Sequence, residues 1–108
     1  MASRHHSLQM GEVADILELM ADFERHNSVR LETRIGLCRL VTKQDICVTM
    51  LAHQQGEEVG EVPPLASVSV SCLSTNLRNL RDVVIHALYA LDLRLALNEF
   101  ESAERKEA

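Results

Sequence analysis

The chain predicts an α+β two-layer sandwich in α-β-β-β-α order: a three-stranded antiparallel meander with two helices on one face. Three observations carry that prediction. Residues Glu12 to Arg25 and Thr75 to Phe100 place apolar side chains at helical spacing. Between them lie three stretches rich in β-formers, two of which alternate apolar and polar residues. The connections between these stretches suit hairpins rather than crossovers, and such a sheet buries one face under amphipathic helices.

In the first helix, Val13, Ile16, Leu17, Met20 and Phe23 recur opposite Asp15, Glu18, Asp22 and Glu24. Ser7 is one possible cap and a start near Glu12, after Gly11, is another; the end falls at His26-Asn27. Residues 1–10 are polar without period and read as a flexible N-terminus. Val29, Leu31, Thr33, Ile35 and Leu37 then alternate with Arg30, Glu32, Arg34 and Gly36, the signature of a half-buried strand. Arg39 falls on the apolar parity, which predicts a β-bulge or the strand's end near Gly36.

Thr42-Lys43-Gln44-Asp45 reads as the turn into a second strand, Ile46 to His53. Residues 54–64 carry two glycines, two prolines and three glutamates, and read as a mobile acidic loop. A third strand sets Ala66, Val68, Val70 and Cys72 against Ser67, Ser69 and Ser71. The open sheet face then holds Arg30, Glu32, Arg34, Cys47, Thr49, Leu51, His53 and the serine row. Ser74 or Thr75 can cap the last helix, and residues 101–108 read as a frayed charged tail.

The last helix is apolar on two sides. Leu77, Leu80, Val84, Leu88, Leu91 and Leu95 form the stripe that packs on the sheet, while Ile85, Tyr89 and Leu93 fall opposite, among Arg78, Asp82 and Asp92. A second layer is needed there, from another copy, with a dimer favoured, or from a partner. Asp82 and His86 join Ile85, Tyr89 and Leu93 in this expected interface. The loop residues Glu57, Glu58, Val59 and Glu61 form a second candidate contact.

Composition narrows the function classes. One hundred and eight residues at 46% hydrophobic make a single domain, and with no Trp, one Tyr and two Phe its core is aliphatic. A net charge of −5 opposes a general grip on nucleic-acid phosphates and suits a protein partner with a basic surface. Cys38, Cys47 and Cys72 are odd in number and sit in strand-like stretches, which argues against a disulfide framework and for a cytoplasmic, reducing location. The sequence shows no positively charged start followed by an apolar stretch of signal-peptide type, and no apolar run of membrane-spanning length.

No catalytic, metal or cofactor signature stands out. Cys47 and His53 share a strand face but lie about 20 Å apart along it. His5-His6 has no accompanying metal motif, the glycines form no phosphate cradle, and the glutamates of the loop do not match a calcium pattern. His86 lies four residues after Asp82, the beginning of an acid-base arrangement without a nucleophile, and reads as a surface ion pair. Arg30, Arg34, Arg78 and Arg81 would make a basic patch if folding joined the first strand to the start of the last helix.

The element order is similar to that of double-stranded RNA-binding domains, which hold phosphates with a lysine-rich start of the second helix. This chain has Asn76-Leu77-Arg78-Asn79-Leu80-Arg81-Asp82 there. The opening helix, meander, size and acidity also resemble the dimeric chaperones of type III secretion, which imply client-protein binding. From the residues themselves the expected role is a small, acidic, non-enzymatic protein-binding module that self-assembles, a regulator or inhibitor of the kind encoded by phages or paired with toxins. RNA binding, client binding and a small enzyme using His86 are the alternatives.

Overall fold

A computed structural model describes residues 10–40, 43–56, 62–71 and 80–107. The order is α1 (Met10–Asn27), β1 (Val29–Leu40), β2 (Lys43–Gln54), β3 (Ala66–Ser71) and α2 (Leu80–Glu107). The sheet is antiparallel, with β2 between β1 and β3. The α+β class and the order of elements match the sequence prediction.

Alternation fixes which side chains meet the helices. Register pairs Leu31 with Ala52, Thr33 with Met50, and Ile35 with Val48, and continues from Met50 to Val68 and from Val48 to Val70. Opposed residues share a face, so one side of the sheet is apolar across all three strands. Ile16 of α1 and Val83, Val84, Ala87, Leu88 and Leu91 of α2 join Val29, Val48, Met50, Ala52, Ala66 and Val70 in one buried cluster. Leu19, Met20 and Phe23 of α1 pack at its border. The expected α2 stripe is therefore the core stripe, apart from Leu77, which lies outside the described residues.

α1 ends through its own sequence. The Asn27 side-chain amide donates to the Phe23 carbonyl at 3.2 Å, and Ser28 takes a left-handed φ of 55° that turns the chain into β1. The Glu24 side chain then accepts the Leu31 backbone N–H at 2.8 Å. Beyond Gly56, the Leu65 N–H donates to the Ala52 carbonyl at 2.7 Å and brings the chain back beside β2.

Several expected boundaries are corrected. No bulge interrupts β1 at Gly36: pairing runs without a break from Val29↔Gln54 to Leu40↔Lys43. Lys43, Gln44 and Asp45, expected in the turn, belong to β2. α1 reaches Asn27 at one end and Met10 at the other. The C-terminal segment is helical to Glu107, supported by alanine and charged helix-formers and by a Glu101–Arg105 pair at 4.0 Å. Residues 72–79, with the expected caps Ser74 and Thr75, and residues 1–9 lie outside the described residues.

Cys47 is disulfide-bonded, against the expectation from an odd set of strand cysteines. Side chains on one sheet face stand close enough across strands for such a bond, so location in strands does not exclude it. The cysteines therefore do not mark a reducing compartment. No described helix is long and apolar enough to cross a membrane.

Candidate protein-interaction surface

The surface begins with what α2 leaves uncovered. Val83, Val84, Ala87, Leu88 and Leu91 point into the core, and a helix with that inward face turns Tyr89, Leu93 and Leu97 away from it. Tyr89 is 72% exposed, Leu93 57%, Leu97 52% and Phe100 61%. Together with half-buried Ile85 they form an apolar ridge about 22 Å long, from the helical rise of 1.5 Å per residue.

Depressions flank the ridge at its N-terminal end. The larger, about 500 Å³, runs between the helices and is walled by Leu19, Phe23, Ile85, Leu88 and Tyr89, with Asp22, His26, Asn27 and Asp92. The smaller, about 240 Å³, is lined by Asp82, Ile85, His86 and Tyr89. Ile85 and Tyr89 thus form a crest shared by both. The structure brings four of the five expected interface residues, Asp82, Ile85, His86 and Tyr89, into the smaller depression, and Leu93 follows on the same ridge.

The open sheet face carries a polar network. Glu32 accepts His53 Nε2 through Oε1 at 2.9 Å, and accepts Arg34 Nε and Nη2 through Oε2, each at 2.8 Å. Hydrogen bonds from Arg34 first, and from His53 second, hold the Glu32 carboxyl below its ordinary value. His53 is only 6% exposed although it lies on this face, directly opposite Arg30. Thr49 and Ser69 hydroxyls meet at 2.9 Å, which links β2 to β3. With Glu32 shared between a ring and a guanidinium, this row fixes the register of a polar face.

The basic patch does not assemble among the described residues. Arg30 and Arg34 lie on the open sheet face, whereas Arg81 of α2 approaches Asp15 of α1 at 4.0 Å. Arg78, and the loop residues Glu57, Glu58, Val59 and Glu61, lie outside the described residues. No group of three or more described His, Cys, Asp or Glu side chains is placed to hold a metal.

Searches against known protein families, characterised proteins and solved structures found no match.

Leu19 and Phe23 of α1 are the residues that sequence reasoning missed. Phe23 belongs to the stripe expected for α1 and Leu19 lies outside it; only part of each side chain is covered, and the rest walls the groove. Leu97 and Phe100 were legible as a continuation of the ridge, four and seven residues beyond Leu93. The β1 edge offers less than a bare strand would: Glu24 occupies the Leu31 N–H, and the Gln55 side chain donates to the Val29 carbonyl at 3.4 Å.

Proposed function

We propose that this chain is a small acidic protein-binding module that regulates or inhibits another protein through its helical layer. The supporting observation is the α2 ridge, where Tyr89, Leu93, Leu97 and Phe100 are each more than half exposed beside an apolar groove. A contiguous apolar surface of this kind, rimmed by charge, is a feature of interaction sites. His86 and Asp82 serve this surface as polar rim. Among the described residues, the smaller depression that contains them is otherwise lined by Ile85 and Tyr89, with no Ser, Thr, Cys or Lys beside His86.

The reading is tested by replacing Tyr89 with Ser and Leu93 with Asp in one variant. Helix content and thermal stability should match the wild type, while proteins retained by the immobilised wild-type chain from its native host should be lost. Unfolding of the variant would mean that these side chains are core, and unchanged retention would move binding elsewhere.

A further inference from the structure

The ridge and its groove also carry information about what covers them, an inference that rests on the protein-binding reading. At 100° per residue, Asp92 and Glu99 fall on one flank of the Ile85-Tyr89-Leu93-Phe100 ridge, and Glu101 and Glu104 on the other. Asp22 adds a carboxylate on the far wall of the groove, where it is held by Arg25. The cation nearest the start of the ridge, Arg81, is turned to Asp15 and Arg105 to Glu101, while exposed Arg94 lies beside Glu101 on the second flank.

A second copy of this chain fits that pattern poorly. Antiparallel packing through the ridge sets the Asp92-Glu99 flank against its own counterpart, and parallel packing sets it against Glu101 and Glu104. Antiparallel packing brings carboxylate to carboxylate beside a seam that excludes water, and parallel packing offers Arg94, with Arg105 already turned to Glu101, against four carboxylates, in a chain of net charge −5. The complementary occupant has an apolar stripe and cationic flanks.

We infer that the α1–α2 groove and the α2 ridge receive an amphipathic helix of another protein, with aliphatic or aromatic anchors at i, i+4 and i+7 and Lys or Arg on both flanks. Its anchors enter the groove walled by Leu19, Phe23, Ile85 and Leu88, and its cations reach Asp92 and Glu99 on the near flank. Electrostatic attraction speeds encounter and selects partners, and the apolar anchors hold the complex.

The test uses the full chain and two fluorescein-labelled designed helices of about 18 residues, long enough to cover the ridge. Both have the same leucine seam; one carries lysine on its flanks and the other glutamate. Anisotropy should show saturable binding of the lysine peptide and little of the glutamate peptide. D92K/E99K should weaken the lysine peptide about tenfold or more, as expected when rim charges are reversed, and L93D should abolish binding. Equal binding of both peptides would overturn the inference, as would a stable homodimer dispersed by L93D. Failure of the lysine peptide while the wild type, but not L93D, still retains a host protein overturns the basic-helix assignment alone. The absence of any binding sensitive to L93D overturns the protein-binding reading as well.

Discussion

The Glu24 carboxylate accepts the backbone N–H of Leu31 at 2.8 Å, so a side chain of α1 occupies the outer edge of β1. An edge N–H is a template for another strand, and filling it from within the fold blunts that edge. Glu24→Ala leaves a part-buried donor without its acceptor and should cost about 1–3 kcal/mol. Glu24→Gln, which keeps an acceptor oxygen, should cost clearly less. Urea unfolding of the two variants separates this bond from a general loss of surface charge.

Thr33 faces the helices opposite Met50, and its hydroxyl is buried without a hydrogen-bond partner. Replacing it with Val keeps the shape and removes the unsatisfied oxygen. Thr33→Val should stabilise the chain by about 1 kcal/mol, read as a higher urea midpoint at unchanged slope. A fall in the midpoint would show that the hydroxyl is satisfied in solution.

Ser28 holds a φ of 55°, which glycine adopts without steric cost. Ser28→Gly should raise stability, or leave it level, within about 1 kcal/mol, because relief of the left-handed strain opposes the larger entropy of an unfolded glycine. Ser28→Val should destabilise by more than that, since a β-branched side chain tolerates this conformation least.

Glu32 gives the fold an acid-sensitive contact. Its carboxyl is held below the usual 4.5 by Arg34 and then by His53. A lowered folded value means that the stabilisation is fully present above about pH 4.5 and is lost as pH falls through the folded value. Thermal melts of wild type and Glu32→Gln between pH 3 and 6 should differ most at the upper end and converge toward the lower. Parallel curves across that range would show that the carboxylate contributes nothing linked to protons.

The two faces of α2 should respond oppositely to truncation. Leu91 is fully buried, and Leu91→Ala should cost about 2–5 kcal/mol. Leu97→Ala, at 52% exposure, should stay within about 0.5 kcal/mol. Guanidinium unfolding of both variants measures which face is core.

Much of this was legible because burial writes itself into periodicity. The open sheet row from Arg30 to Ser71 and the core stripe of α2 follow directly from parity and helical spacing. Legibility fails where burial fails. Ile35 stands on the helix side of β1 yet is 57% exposed, so β1 has already passed beyond effective cover. The break in alternation at Arg39 is not a bulge, since backbone pairing runs on through Leu40↔Lys43. The same holds for Lys43-Gln44-Asp45, whose polarity reads as a turn but belongs to a paired strand. The groove was less legible, because Phe23 looks like ordinary core and Leu19 lies outside the expected stripe until the gap between two helices is seen.

α2 continues for 28 residues, but after Leu95 none of its described side chains is buried, and Asn98, which donates to the Leu65 carbonyl at 2.8 Å, is its last half-buried contact. One continuous helix is therefore graded in how firmly it is held. Amides from Val83 to Leu91 should exchange with solvent only when the whole molecule opens, whereas those after Asn98 should exchange through local unwinding that leaves the rest intact. A ligand that grips Phe100 would slow exchange in those last turns first, and the gradient along a single helix becomes a readout of occupancy.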